Sequence, residues 1–65
     1  MQSKNKLQFL RKQKSLTQEE LAKEVSVAPD YISMIERGVR SPGFALAKRI
    51  ADYFETTVDE IFFKH

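Results

Sequence analysis

The side chains best suited to chemistry lie between positions 17 and 40 of this chain. Their hydroxyl, amide, carboxylate and guanidinium groups suit hydrogen bonds to phosphates and to the edges of bases, and a methionine can pack against a thymine methyl. Such groups favour reversible binding over covalent catalysis. The candidate contact residues are Thr17, Gln18, Ala28, Pro29, Asp30, Tyr31, Ser33, Met34, Arg37 and Arg40.

Covalent or metal-dependent chemistry has little support in the sequence. Cysteine is absent, and the single histidine is His65. There is no paired nucleophile and base, no metal-ligand spacing and no phosphate-binding loop. We therefore expect no enzymatic activity, cofactor, metal or small-molecule ligand. Since the sequence also has no signal peptide and no run that could span a bilayer, we expect a cytoplasmic protein.

The candidate residues lie on two predicted helices joined by a tight turn. Thr17 is the expected N-cap of the first helix, and Glu20 completes a capping box. Pro29 suits the first position of the second helix, and Gly38 suits the left-handed residue that ends it. Apolar residues give each helix one inward face: Leu21, Ala22 and Val25 on the first helix, and Ile32 and Ile35 on the second. Proteins use this arrangement to place a helix in the major groove of DNA.

Three further helices complete an all-α, five-helix domain that we expect to cover residues 1–65, with the helix-turn-helix at about 17–37. The first runs from about Lys4 to Gln13. A fourth runs from roughly Phe44 to Phe54, with Phe44, Ala47, Ile50, Ala51 and Phe54 at helical spacing. Thr57 and Glu60 open a short fifth helix.

The segment resembles the helix-turn-helix of the phage-repressor and Cro family, also called the xenobiotic-response-element family of regulators. The matching motif residues are Gln18, Leu21, Ala22, Val25, Val27, Ile32, Ser33, Ile35, Glu36 and Gly38. Outside the motif the matches are Arg11, Pro42, Ile50, Ala51, Phe54, Val58, Asp59, Glu60, Ile61 and Phe62. The resemblance covers nearly the whole chain and implies a compact, lambda-repressor-like fold.

The chain departs from the family pattern at a few positions. Ser26 stands where the family usually has a glycine with positive φ, which predicts a cost on the order of 1 kcal/mol. Glu55 stands where glycine or asparagine is usual. Pro29 and Asp30 stand where some members carry glutamine or serine, so a glutamine contact to adenine from those positions is excluded.

The resemblance assigns roles to three residues. It implies that Gln18 hydrogen-bonds a phosphate and braces the recognition helix, although a first-turn residue of good helix propensity is the plainer interpretation. It also implies that Arg11 and Glu36 form a structural ion pair. Removing one partner should cost about 3–5 kcal/mol if that pair is buried.

Several outer-face residues keep two interpretations. Asp30 could accept from a cytosine amine or could only stabilise the start of its helix. Tyr31 could donate to a phosphate or cover the helix edge. Arg37 and Arg40 could contact phosphate, Arg40 also the minor groove, or could be free surface arginines. For Ser33 and Met34 we favour base contacts, because the isoleucines already define the inner face.

Charge and apolar residues point to two surfaces. Residues 1–18 carry +5 and residues 19–65 carry −3, which fits either one face toward phosphate or a solvated basic helix. Phe9, Leu46, Tyr53 and Phe63 do not fit a single inward stripe, so they either cover the core or form a subunit contact. We favour a homodimer, because this motif usually binds two half-sites. In similar proteins the fourth and fifth helices make that contact, which places Tyr53, Thr56, Val58, Phe62 and Phe63 near the interface.

The expected function is sequence-specific binding of double-stranded DNA by a homodimer that regulates transcription, as a repressor at a palindromic operator. Its half-sites should lie about 34–36 Å apart. The alternative is a protein-interaction module on the same fold, such as an antitoxin or a partner subunit.

Overall fold

Five α-helices make up the computed structural model, which describes residues 5–63. No strand occurs in this range, and the all-α prediction is confirmed. The helices are α1 (Leu7–Gln13), α2 (Gln18–Glu24), α3 (Pro29–Glu36), α4 (Phe44–Tyr53) and α5 (Val58–Phe62). The Asn5 side chain accepts from the Leu7 backbone N–H at 3.0 Å, close to where α1 begins. Lys4, where we predicted the start of this helix, lies outside the described residues.

The core is built from the inward faces that the helical spacing predicts. Its buried apolar members are Leu7, Leu21, Ala22, Val25, Ile32, Ile35, Leu46, Ile50, Ala51 and Ile61. Two predictions for α4 are wrong. Leu46 is buried with the core, whereas Phe44 is 78% exposed. The buried stripe of α4 begins at Leu46, so Phe44 precedes it at the first helical position.

Helices α1 to α4 all end in the same backbone motif. After each helix one residue takes a positive φ, and the next backbone N–H bonds a carbonyl five residues back, as in a Schellman motif. The four bonds are Leu16 N to Arg11 O, Val27 N to Ala22 O, Val39 N to Met34 O and Thr56 N to Ala51 O, at 2.9–3.1 Å. The helices therefore stop at defined residues, and the chain turns sharply after each.

Only one of these four left-handed residues is a glycine. Gly38 has φ 77°, while Ser15, Ser26 and Glu55 have φ values of 57°, 63° and 58°. The positive φ expected at Ser26 is thus present, and the same conformation occurs at Glu55, where the family usually has glycine or asparagine. Ser15 was not predicted, because serine at this position gives no sequence signal for a left-handed residue. Any residue with a Cβ is sterically disfavoured in the left-handed region of φ.

Side-chain caps fix the starts of α2 and α5. The Thr17 hydroxyl accepts from the Glu20 backbone N–H at 3.0 Å, and the Glu20 carboxylate accepts from the Thr17 N–H at 2.8 Å. The predicted capping box of α2 is therefore present. Thr57 likewise accepts from the Glu60 N–H at 3.1 Å. A backbone hydrogen bond joins α5 to the start of α1: the Lys6 N–H donates to the Ile61 carbonyl at 3.0 Å.

Replacing Ser26 with glycine should stabilise the domain. The left-handed conformation costs a serine about 1–2 kcal/mol, which glycine avoids. Glycine also loses more chain entropy on folding, which cancels about 0.5–1 kcal/mol of this gain. We expect Ser26→Gly to raise the free energy of unfolding by roughly 0.5–1 kcal/mol in urea denaturation. Ser41→Gly is the matched control, because Ser41 is exposed and has no positive φ. A gain at Ser41 as large as at Ser26 would contradict the argument.

Candidate nucleic-acid interface

The inner face of α3 packs tightly on α2. Ile32 and Ile35 are fully buried, and Ala22 on α2 is 1% exposed. A small side chain at Ala22 lets the two helix backbones approach closely. The turn between them brings Val27 against the core, while Ser26 and Ala28 stay exposed. Packing along the length of α3 therefore contributes to its direction relative to α2.

The outer face of α3 is free. Asp30 is the one charged residue on this face within Pro29–Glu36, because Glu36 is buried. Proline starts the helix without losing a hydrogen bond, and Asp30 lies in the first turn. Pro29 and Asp30 are exposed, and three residues that follow on this face are half-buried: Tyr31, Ser33 and Met34. Arg37 is the exposed C-cap of the helix. This surface offers hydroxyl, thioether and carboxylate groups to a partner.

A buried ionic network joins α1, α2 and α3. The Glu36 carboxylate accepts from Arg11 Nε at 2.6 Å and from Arg11 Nη2 at 3.1 Å. Gln18 Nε2 donates to the same carboxylate at 3.0 Å. Arg11 and Glu36 are 8% and 3% exposed. The Gln18 amide is thus held on Glu36, and its second Nε2 hydrogen and its oxygen are left for other partners.

The end of α3 has a further anchor that the sequence did not indicate. Asn5 Nδ2 donates to the Ile35 carbonyl at 3.0 Å, which connects the segment before α1 to the last turn of α3. The two residues are 30 positions apart, and no local pattern reveals such a contact. The same turn continues into the loop, where the Met34 carbonyl accepts from the N–H groups of Val39 and Arg40 at 3.0 and 3.3 Å.

Tyr31 and Arg40 lie against each other beside α3. Tyr31 packs against the core, and the Arg40 guanidinium lies 6.0 Å from the centre of its ring. This stacking holds an exposed cation beside the outer face of α3. On another part of the surface, the Lys14 ammonium lies 5.5 Å from the centre of the Tyr53 ring.

The residues predicted at a subunit contact lie at the end of α4, in the turn that follows it, and on and directly after α5. Tyr53, Thr56, Val58 and Phe62 are partly buried, and Phe63 is 70% exposed. Val58, Phe62 and Phe63 line a surface cavity of about 170 Å³ together with residues of the loop after α3. The patch therefore presents apolar surface next to the segment that carries Arg40.

Residues 5–63 contain neither a membrane-spanning helix nor a candidate metal site. No helix there is long and apolar enough to cross a membrane. The same residues contain no cluster of histidine, cysteine, aspartate or glutamate that could hold a metal ion.

A packed helix pair whose second helix has a free outer face is the arrangement of a helix-turn-helix protein, and comparison with known families agrees. Residues 7–61 match the model of the Cro/C1-type helix-turn-helix family. The chain belongs to this family, and the resemblance inferred from the sequence is confirmed.

Relatives of the chain are named as regulators of transcription. An uncharacterized HTH-type transcriptional regulator of Methanocaldococcus jannaschii is 42% identical over 91% of this chain and 89% of its own length. A second such regulator, from Archaeoglobus fulgidus, is 34% identical over 91% of this chain and 84% of its own. The HTH-type transcriptional activator BcrR of Enterococcus faecalis is 41% identical over 94% of this chain, but only 30% of its own length is matched.

Breaking the buried ion pair should destabilise the domain far more than breaking an exposed one. Arg11→Ala leaves the Glu36 carboxylate buried without its main partner, so we expect a loss of about 3–5 kcal/mol in urea denaturation followed by circular dichroism. Lys48→Ala is the control, because Lys48 and Asp52 form an exposed pair on α4 at 2.9 Å, which should contribute at most about 1 kcal/mol.

A second variant separates charge burial from loss of packing. Replacing Arg11 and Glu36 together with methionine removes both buried charges while keeping much of the volume. We expect this double variant to recover a large part of the lost stability. Equal losses for Arg11→Ala and Lys48→Ala would mean that the pair contributes no more than a surface contact.

Proposed function

We propose that this protein is a DNA-binding transcriptional regulator that inserts α3 into the major groove of an operator. The observation that carries the proposal is the division of α3 into two faces. Ile32, Ile35 and Glu36 are buried against the domain, while the opposite face is free and mostly uncharged. Membership of the Cro/C1-type family and the names of the relatives support the same function.

Contacts to base edges would come from the middle of the outer face. Ser33 and Met34 lie there, and a hydroxyl and a thioether suit a base edge and a thymine methyl. Asp30 lies one turn earlier, where its carboxylate could accept from a cytosine amine. The alternative role of Asp30 is to stabilise the start of α3 through its place in the first turn.

Contacts to phosphate would come from both ends of the helix pair. Thr17 and Gln18 begin α2, and the part of the Gln18 amide not bonded to Glu36 is available for a phosphate oxygen. Ala28 at the start of α3 offers a backbone contact. Arg37 and Arg40 are exposed cations at the other end of α3, where they would flank the groove.

Two subunits would be needed to read a complete operator. We propose a homodimer through α4 and α5, which places the two α3 helices on half-sites one helical turn apart, about 34–36 Å. The partly exposed apolar residues of that surface support this assembly. Repression is the proposed mode of action, because a dimer bound in this way would occupy the operator.

The first test is selection of bound sequences from a pool of random DNA duplexes at physiological salt. We expect recovery of an inverted repeat, which would establish sequence-specific binding by a dimer and give the operator sequence. Recovery of no consensus from a folded dimer would reject the proposal and favour the protein-interaction module. Tight binding to a second protein would then be the property to measure.

The arginines at the end of α3 should contribute to the salt dependence of binding. If each contacts one phosphate, Arg37→Ala and Arg40→Ala should each reduce the slope of log affinity against log salt by about 0.9. Lys48→Ala changes the net charge equally but lies on α4 outside the helix pair, so its slope should match that of the parent. Three identical slopes would show that neither arginine lies on a phosphate.

Self-association should depend on Phe63 and not on other exposed aromatic residues. Phe63 is 70% exposed, so Phe63→Ser removes apolar surface with little effect on the core. We expect this variant to have a weaker dimer in sedimentation equilibrium. Phe9→Ser is the matched control, because Phe9 is 61% exposed but lies on α1. If Phe9→Ser weakens the dimer and Phe63→Ser does not, the proposed interface is wrong.

A further inference from the structure

The carbonyl of Val25, at the end of α2, is bonded by a side chain from another helix. Arg49 of α4 donates to it from Nε at 3.3 Å and from Nη2 at 3.2 Å. Val25 is the C-cap of α2 and immediately precedes Ser26, the left-handed residue of the turn. A single guanidinium on α4 is therefore attached to the turn that joins α2 to α3.

This carbonyl needs a side-chain donor, because the backbone supplies none. The Schellman motif that ends α2 pairs the carbonyls of Ala22 and Lys23, and no backbone N–H among residues 5–63 donates to the Val25 carbonyl. The residue four positions on, which would be the donor in a continuing helix, is Pro29, and proline has no N–H. Val25 itself is 2% exposed, and an unpaired carbonyl in such surroundings is unfavourable.

Among residues 5–63, Arg49 has no second partner that competes for its guanidinium. Within the described part of the chain it forms no ion pair, and its hydrogen bonds are the two to Val25. Its neighbour Lys48 instead pairs with Asp52 on the surface of α4. The positive charge of Arg49 at the C-terminal end of α2 also complements the dipole of that helix.

We propose that Arg49 is a positioning residue for DNA recognition: by holding the Val25 carbonyl, it sets the direction in which α3 leaves α2. This inference rests on the proposed function. Hydrogen bonds to base edges depend steeply on distance and angle, whereas attraction to phosphates tolerates a small change in helix direction. Loss of the contact therefore affects specific binding more than non-specific binding.

The test measures the ratio of affinities for the selected operator and for a scrambled duplex, at one salt concentration. Arg49→Met keeps the length of the side chain but removes its donors. We expect the ratio to fall roughly tenfold, which corresponds to the loss of about one hydrogen bond between α3 and a base edge. Arg49→Lys keeps one donor and should recover part of the ratio. Lys48→Met removes the neighbouring charge, which makes no contact with the α2–α3 turn, so it should leave the ratio unchanged.

The outcomes distinguish positioning from a purely structural role. If Arg49→Met melts at a lower temperature but keeps the parent ratio, the positioning role is wrong. If the parent protein shows no preference for any duplex, the proposed function fails instead, and the geometry is then judged by the backbone amide resonances of Ser26 to Ile35. Shifts along α3 in Arg49→Met but not in Lys48→Met would support the contact as a determinant of helix direction, and unchanged resonances would overturn it.

Discussion

The arrangement of this domain depends on one buried carboxylate. Glu36 ends α3 and is 3% exposed, and a charge so far from water is tolerated only if hydrogen-bond donors surround it. Two nitrogens of Arg11 and one of Gln18 supply those donors. Because the donors come from α1 and α2, satisfying the carboxylate brings three helices to one point. The network thus specifies where α3 lies, beyond any stability that it contributes.

The helix pair is held at both ends of α2 by arginines from its neighbours. Arg11 Nη1 donates to the Leu16 carbonyl at 2.7 Å, just before α2 begins, and Arg49 donates to the Val25 carbonyl where it ends. Each guanidinium pairs a backbone oxygen at a helix boundary, where intrahelical partners are lacking. The frame of α1 and α4 therefore sets the position of α2, and through the packed turn it sets the position of α3.

The sequence predicts those features that depend on neighbouring residues. The Thr17 capping box, proline at the start of α3 and the left-handed Gly38 follow from local chemistry, and helical spacing gives the inward isoleucines. Contacts of Asn5 and Arg49 with distant carbonyls leave no periodic signal, so sequence reasoning missed them. Phe44 and Leu46 were assigned wrongly, because spacing alone does not tell where a helix meets the core. The roles of the outer face toward DNA stay predictions.

Left-handed residues that carry a Cβ follow α1, α2 and α4 in this fold, but not α3. A domain of this size buries only about 60% of its chain surface, so costs near 1 kcal/mol at single residues matter. Ser15, Ser26 and Glu55 carry such costs after α1, α2 and α4, whereas the left-handed residue after α3 is Gly38, which has no Cβ and avoids them. Gly38, the unstrained left-handed residue, lies between Arg37 and Arg40. A strained residue at position 38 would favour fraying of the last turn of α3. That turn carries Glu36 of the buried network and leads into the exposed Arg37 and Arg40. Glycine at position 38 therefore helps to keep Glu36 and the two arginines in their relative positions.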